Sequence, residues 1–255
     1  MNMPTAFKKL INSTTCLVAA LPALAAFLVY LPALQNDFVN WDDDDYVYQN
    51  PAIQKINLQL FKWAFFNFHA ANWHPLTWIS HAIDTALWGL NPWGHHLTNV
   101  ILHSVNTFLV VLLVVRLLTV VREKAKGNIF PEFLTEKGIR LAAVTTGFLF
   151  GLHPLHVESV AWIAERKDLL CGFFFLFGIY LYLQNTLRAE TSGTVRSPIF
   201  NKQYFLVLGC FIGALLAKPM AVTFPVVLLL LDYYPSNRFS SPGSLKKIAM
   251  EKTPL

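Results

Sequence analysis

The sequence predicts an all-α membrane protein with about six spans, and three observations indicate this fold class. Hydrophobic residues make up 55% of the 255 residues, charged residues only 14%, and the mean hydropathy is +0.44. Ordinary soluble domains carry about a quarter charged residues. The apolar residues are also gathered into runs, several of which are long enough to cross a bilayer. No basic stripe interleaved with aromatic residues appears, so no nucleic-acid partner is predicted.

Six apolar segments are the predicted spans. The last two are shorter than the roughly 20 residues that a span requires. Lys218-Pro219 separates these two, because a proline interrupts a helix. In chain order, the segments run from about 15–34, 97–120, 141–160, 169–187, 204–217 and 221–234.

Lys and Arg are distributed unevenly between the two sets of connecting segments. With the N-terminus in the cytoplasm, the inner segments hold 15 of the 20 basic residues, in agreement with the positive-inside tendency. Residues 1–14 are then cytoplasmic, residues 15–235 form the membrane module, and residues 236–255 form a basic cytoplasmic tail. This tail ends without a recognisable closing element, so a longer protein is expected. A cleaved signal peptide is the alternative for the first segment.

The first external loop, about residues 35–95, is the longest one. Its stretches 58–68 and 76–90 place apolar and aromatic residues at helical spacings. Trp and Phe are favoured where a helix lies in the membrane interface. Both stretches are therefore predicted to be interfacial amphipathic helices.

Titratable side chains gather on the outer side of the membrane, where the external loop begins with four aspartates, Asp42 to Asp45. All eight histidines and nine of the 15 acidic residues fall there. Ionisable groups at a membrane edge are costly and mark a functional cavity. Confinement of neighbouring carboxylates raises some of their pKa values, which suits a general base near neutral pH. A solvated acidic turn is the alternative.

The second predicted span carries a polar stripe. His96, Asn99, His103 and Asn106 are spaced by three, four and three residues, so they share one helix face. In lipid such a face must point into the protein or into a wet cavity. Hydrogen bonding between helices and a lining role in the cavity of the aspartates are both open.

The outer end of the third segment is interrupted by Pro154. His153, His156 and Glu158 flank this proline, and metal ligation is disfavoured because the proline breaks the helix that would align the histidines. Arg166 follows in the turn to the fourth segment, and its guanidinium suits a phosphate or pyrophosphate group. A pair with Glu165 or Asp168, or a lipid headgroup contact, is the alternative.

Five stretches of the sequence resemble a known family. Together they are similar to the transmembrane-and-tetratricopeptide (TPR) O-mannosyltransferase family (TMTC) and its bacterial TPR-containing relatives, which belong to the GT-C class of membrane glycosyltransferases. The resemblance covers about residues 16–235. The stretches are FVNWDDDDYVYQNP (38–51), NWHPLTWISHAID (72–84), GLNPWGHHLTNVILHSVN (89–106), FGLHPLHVESVAWIAERKDLL (150–170) and LLAKPMAVTFPVVLLLLDYYP (215–235).

This resemblance implies a GT-C-like helical bundle that transfers a sugar from a polyprenyl-phosphate donor to a hydroxyl group of a protein or glycan. The reaction would take place on the outer face of a bacterial inner membrane, towards the periplasm, or on the lumenal face of the endoplasmic reticulum. Asp42 and Asp43 match the paired acidic motif of the family and are the predicted catalytic residues. The remaining site residues are predicted to contact the donor phosphate or to line the cavity: Arg166, Lys218, His153, His156, Glu158, His74, His96, Asn99 and His103.

Several departures from the family pattern leave alternatives open. Asp44 and Asp45 stand where the family has no acidic residues, and His74 stands where many relatives have Arg. No 34-residue repeat follows the spans. A non-catalytic membrane scaffold for a TPR-type region and a transporter-like protein are therefore the alternatives. No cofactor is required, although the carboxylates would permit a divalent cation.

Overall fold

The computed structural model describes residues 13–124, 134–191, 202–236, 238–239 and 244–252. Within these ranges the regular structure is helical apart from one isolated bridge between His69 and Asn72, which confirms the all-α fold class. The α-helices are α1 (Ser13–Tyr30), α2 (Leu58–Phe66), α3 (Pro75–Trp88), α4 (Pro92–Lys124), α5 (Glu136–Gly151), α6 (His156–Ala161), α7 (Arg166–Thr191), α8 (Lys202–Ala217), α9 (Phe224–Tyr233) and α10 (Ser244–Lys252).

Three stretches are long and apolar enough to cross a membrane, namely Ser13–Gln35, Pro92–Glu123 and Ile163–Gln184. The apolar helices Lys202–Ala217 and Pro219–Tyr233 are shorter. With 33 residues, α4 is about 50 Å long and so exceeds the roughly 30 Å hydrocarbon core. The chain is thus an all-helical integral membrane protein, and six spans stay a prediction.

The third predicted segment, 141–160, is not one continuous helix. Helix α5 ends at Gly151, and the chain resumes a helix only at His156. Pro154 explains the interruption, because it lacks a backbone N–H and restricts the residue before it to extended conformations. The interruption leaves carbonyl oxygens near the end of α5 free to accept hydrogen bonds from neighbouring helices.

Helix α4 is the centre of the bundle. It packs against α1, α5 and α7, and α7 packs in turn against α8. The close approach of α5 depends on Gly147, where a Cβ atom would lie 2.4 Å from Val111 Cγ2 of α4 and 3.0 Å from Pro22 Cγ of α1. Small residues at such positions let membrane helices approach closely.

A side chain at Gly147 should therefore separate α1, α4 and α5. We expect Gly147→Val to destabilise the protein by roughly 1–3 kcal/mol, the range found for overpacked cores, as a lower midpoint of thermal unfolding in detergent. Gly209 of α8 is the matched control, since a Cβ there has no heavy atom within 4 Å. Gly209→Ala should leave the midpoint unchanged or raise it slightly. An equal loss in both variants would contradict the packing argument.

The loop predicted to be external, about residues 35–95, folds into a helical layer across one end of the bundle. Thr77 Oγ1 of α3 donates to Ala217 O at the end of α8, 3.2 Å away, and the other end of α3 leads directly into α4. Asn57 caps α2 by accepting from Leu60 N at 2.9 Å. The predicted helices are thus present, and their location in the membrane interface stays a prediction. The core of this layer consists of Tyr46, Val47, Ile53, Leu60, Ala64, Trp78, Ala82, Ile163 and Ala164.

The segment predicted to be a polar tail contains α10, and buried charges hold this helix against the bundle. Arg238 donates to both carboxylate oxygens of Glu251 at 2.9 Å and to Asp232 Oδ1 at 2.8 Å. Lys252 Nζ lies 3.1 Å from Asp232 Oδ2 and donates to the Tyr182 hydroxyl at 2.7 Å. The sequence does not reveal this contact, because the residues that form it come from α7, α9, α10 and, with Arg238, the segment between α9 and α10.

Candidate functional site

The aspartate run forms a short turn in which Asp43 faces inward. Asp43 is 1% exposed, and its carboxylate accepts from Val39 N at 3.0 Å and from Ala164 N at 2.8 Å. Burial raises the pKa of Asp43, whereas these two N–H groups act to lower it. Asp43 therefore ties the external loop to the turn between α6 and α7.

The other three aspartates are more accessible than Asp43. Asp42 and Asp44 are half-buried, and Asp45 is exposed. The turn Asp44–Tyr48 has π-helical hydrogen bonding, an uncommon geometry that often occurs at functional sites. It directs neighbouring carboxylates into different environments, so the four aspartates are not equivalent.

Tyr46 connects this turn to a group of charged side chains. Its hydroxyl lies 3.4 Å from His74 Nδ1, and Lys167 Nζ lies 4.9 Å from the centre of its ring. Burial raises the pKa of the Tyr46 phenol, and the nearby carboxylates of Asp42 and Glu165 raise it further. Tyr46 therefore stays protonated and can donate a hydrogen bond at neutral pH.

Two lysines share the carboxylates of the turn between α6 and α7. Lys167 Nζ lies 2.6 Å from Glu165 Oε1, and Lys218 Nζ lies 3.9 Å from Glu165 Oε2. Lys218 also forms an ion pair with Asp168. Lys167 is nearly buried, whereas Lys218 and Asp168 remain partly exposed. The two ammonium groups can hold an anion that displaces a carboxylate.

His74 lies beside this charged group and is 3% exposed. Burial and then the charges of Lys167 and Lys218 lower the pKa of His74 to about 4. The imidazole is therefore neutral at physiological pH. It can accept a hydrogen bond from Tyr46, although it carries no charge with which to bind a phosphate.

This low pKa predicts a loss of stability in acid. Since the unfolded chain binds a proton near pH 6.5 and the folded chain only near pH 4, stability is lost as the pH falls between these values. We expect this single group to cost on the order of 3 kcal/mol across that window. His74→Gln should reduce the decline in unfolding midpoint from pH 7 to 4, and exposed His153→Gln is the control. An unchanged decline in His74→Gln would contradict the assignment.

Arg166 is fully buried and bonded on all three nitrogens. Its guanidinium lies 2.6 Å from Asp84 Oδ2, donates to Asn99 Oδ1 at 2.8 Å and donates to His95 O at 2.7 Å. A weaker contact reaches Ser80 Oγ at 3.3 Å. These contacts join α3, α4 and α7, and they favour a positioning role for Arg166. Its predicted contact with a phosphate stays a prediction.

The polar stripe of α4 bonds mostly to backbone carbonyl groups. Asn99 donates to Trp162 O at 3.2 Å, His103 Nε2 lies 2.9 Å from Gly151 O, and Asn106 donates to Leu169 O at 2.9 Å. His96 is also buried. These contacts satisfy carbonyl groups where the helical path from α5 to α7 is irregular, which favours the helix-packing interpretation of the stripe.

His153 and His156 form a small ring cluster with Phe150. His156 packs on the Phe150 ring with centroids 4.5 Å apart, and burial lowers the pKa of His156. His153 and Glu158 are exposed. No three side chains able to bind a metal come together within the described ranges. These three residues stay predicted cavity residues.

Sequence reasoning assigned no role to Asp84 or Lys167. Asp84 is the only charged residue in α3, and a lone carboxylate in a helix rich in apolar residues indicates a buried cationic partner. That signal was available in the sequence. Lys167 follows Arg166 directly in the chain, and only the fold shows that its side chain reaches Tyr46 and Glu165.

Curated proteins similar to this chain are protein O-mannosyl-transferases. TMTC1 of Homo sapiens is 29% identical over 243 residues, which cover 89% of this chain and 25% of that protein. TMTC1 of Mus musculus is 30% identical over 234 residues, covering 86% and 22%. TMTC2 of Mus musculus is 28% identical over 182 residues, covering 71% and 19%.

The matched region is a limited part of those relatives. The chain spans about a quarter or less of their length. No family model matches the chain, and no solved structure matches it. The chain nevertheless resembles the TMTC family of protein O-mannosyl-transferases over most of its own length.

Proposed function

We propose that the protein is a membrane glycosyltransferase, or the membrane module of one. It transfers a sugar from a polyprenyl-phosphate donor to a hydroxyl group of a protein or glycan on the non-cytoplasmic face. Similarity to O-mannosyl-transferases supports the reaction class and suggests mannose as the sugar. The observation that carries the proposal is the hydrogen bond from Ala164 N to Asp43, because it joins the aspartate turn to the lysine-containing turn.

Asp42 is the general base of this mechanism. It is half-buried. Within the described ranges its carboxylate, unlike that of Asp43, accepts no hydrogen bond from the backbone. The acceptor oxygen attacks the anomeric carbon while Asp42 takes the hydroxyl proton. The bond from that carbon to the phosphate oxygen breaks, and the phosphate leaves with the electron pair. The anomeric configuration is inverted, and the leaving phosphate needs no proton.

Lys218 and Lys167 stabilise the charge that grows on the leaving phosphate. Fixed cations at such a position stabilise the transition state more than the ground state. Lys218 is the more accessible of the two, so it is the first contact for the donor. Tyr46 and His74 position Lys167 relative to the aspartate turn. Arg166 fixes the start of α7.

This proposal is tested with membranes from cells that express the protein from its own gene. We expect labelled mannose to be transferred to protein from a mannosyl polyprenyl phosphate, and not directly from a nucleotide sugar. Lys218→Met should lower kcat/KM for the lipid donor about tenfold, the effect of losing one charge-assisted contact of about 1.4 kcal/mol to the leaving phosphate. The matched control is Lys62→Met, because the Lys62 side chain on α2 is exposed.

Two results would contradict the proposal. Direct use of a nucleotide sugar would place the reaction in another class. Complete absence of transfer, with normal folding and a bound partner protein, would favour the scaffold alternative. The mechanism requires no metal, so activity should persist in EDTA. Loss of activity that magnesium restores would assign a cation to the carboxylates.

A further inference from the structure

A separate apolar cavity lies at the end of the bundle opposite the aspartate turn. Its volume is about 490 Å³, within the roughly 300–1,000 Å³ range of small-molecule pockets. The Tyr234 hydroxyl is the only polar side-chain group among its lining residues. Those residues are Leu117, Leu118 and Val121 of α4, Leu134 before α5, Leu231 of α9, and Tyr234 with Pro235.

The position of this cavity along α4 suits the inner membrane interface. Leu118 lies 26 residues beyond Pro92, or roughly 40 Å along the helix axis. Because α4 starts in the outer layer and the hydrocarbon core is about 30 Å thick, Leu118 is near the opposite membrane surface. The cavity is thus distant from the proposed transfer site.

The predicted topology concentrates positive charge at the same end of the molecule. The predicted inner segments hold 15 basic and six acidic residues, whereas the outer segments hold five basic and nine acidic ones. Half-buried Arg122 follows Val121 and lies one helical turn beyond Leu118. Exposed Lys137 lies in the first turn of α5, three residues beyond Leu134. An apolar cavity with cations one turn further along its lining segments complements an amphiphile that has a negative headgroup.

We propose that this cavity binds one acyl chain of an anionic glycerophospholipid from the inner leaflet. Arg122 and Lys137 hold its phosphate group. The charge distribution favours this occupant over a neutral lipid, because the inner leaflet carries the anionic lipids and attracts basic groups near the membrane surface. The bound lipid would join α4, α5 and α9. This site goes beyond glycosyl transfer and does not depend on it.

The test uses the full chain purified in a neutral detergent. Thermal unfolding is followed while dioleoyl phosphatidylglycerol or dioleoyl phosphatidylcholine, which carry the same acyl chains, is added. We expect a saturable rise in unfolding midpoint with tighter apparent binding of phosphatidylglycerol. Arg122→Gln should weaken that binding about fivefold, the effect of losing one basic group near an anionic surface. It should weaken the binding of phosphatidylcholine less, because the choline group already compensates the charge of that phosphate. Lys62→Gln, with the same change on the outer surface, is the charge control.

A second variant tests whether the acyl chain enters the cavity. Leu118→Trp should remove the saturable shift for both lipids, because the indole fills the space. Leu231→Phe serves the same purpose if Leu118→Trp does not fold. Ala20→Leu is the control, since it fills a separate groove of about 300 Å³ between α1 and α4. Native mass spectrometry counts the lipids that remain bound to each variant.

Three outcomes would overturn the proposal. One is an undiminished preference for phosphatidylglycerol when both Arg122 and Lys137 are Gln. Another is an unchanged lipid count in folded Leu118→Trp and Leu231→Phe. The third is a mass of two protein copies that dissociates in these two variants, which would identify a second copy of the chain as the occupant.

Discussion

Asp42→Asn is expected to reduce glycosyl transfer about 10²–10⁴-fold, the usual contribution of a general base, with little change in folding. The amide cannot take the proton of the acceptor hydroxyl, so the loss should appear in kcat and not in the KM for the donor. Because Asp42 is half-buried and its side chain makes no hydrogen bond within the described ranges, the substitution should leave the turn intact. Initial rates with a labelled lipid-linked donor measure this effect.

Asp43→Asn tests whether Asp43 stabilises the aspartate turn or acts as the general base. The carboxylate of Asp43 accepts from Val39 N and Ala164 N on different oxygens. An amide has only one oxygen, so one of the two donors would face an NH₂ group and lose its partner. We expect a lower unfolding midpoint together with lower activity. A loss of activity in Asp43→Asn without loss of stability would instead make Asp43 the base.

Asp45→Asn is the matched control for both changes. It removes the same charge from the same turn, and Asp45 is exposed. Activity and stability should both stay close to those of the wild type. If Asp45→Asn lowers the rate as much as Asp42→Asn does, the run acts through its total charge, and the assignment of a single base is wrong.

The sequence was sufficient to predict the helical membrane fold and the helices of the external loop. The composition and the helical spacing of Phe and Trp are local signals. Helix α2 lies within the predicted stretch 58–68, and α3 begins one residue before the predicted stretch 76–90. The interruption of the third segment was predicted from Pro154, and α5 does end at Gly151, three residues before that proline, although the apolar run continues to Val160. Apolar composition alone does not report such a break.

The environment of each site residue could not be predicted from the sequence. Asp42 and Asp43 are chemically identical neighbours, and what distinguishes them in the structure includes a contact 121 residues away in the chain, from Ala164 N to Asp43. Arg166 similarly suits either a ligand phosphate or a buried carboxylate. Its pairing with Asp84 depends on how α3 crosses α4 and α7, which is a property of the tertiary structure.

Disruption of the Arg166–Asp84 pair should have the largest effect on stability. We expect Arg166→Met to lower the free energy of unfolding by about 3–5 kcal/mol, because removal of one partner leaves an uncompensated buried charge. Both side chains are at most 5% exposed, so water cannot stabilise the carboxylate that remains. Unfolding in denaturant, with the protein in detergent, measures the loss. Arg140→Met is the control, since Arg140 and Glu136 form an exposed pair at 3.6 Å worth no more than about 0.5 kcal/mol.

The double variant Arg166→Met with Asp84→Leu distinguishes a buried ion pair from simple packing. Once both charges are removed, no charge is left without a partner, so part of the stability lost in Arg166→Met should return. If the double variant instead loses, relative to the wild type, the sum of the two single losses, the two residues act independently. Recovery of stability without recovery of transfer would show that Arg166 orients the turn of Glu165 and Lys167. Recovery of both stability and transfer would assign Arg166 a structural role alone. The predicted contact of Arg166 with the donor phosphate is tested separately: it requires a higher KM for the donor in a folded Arg166→Lys variant.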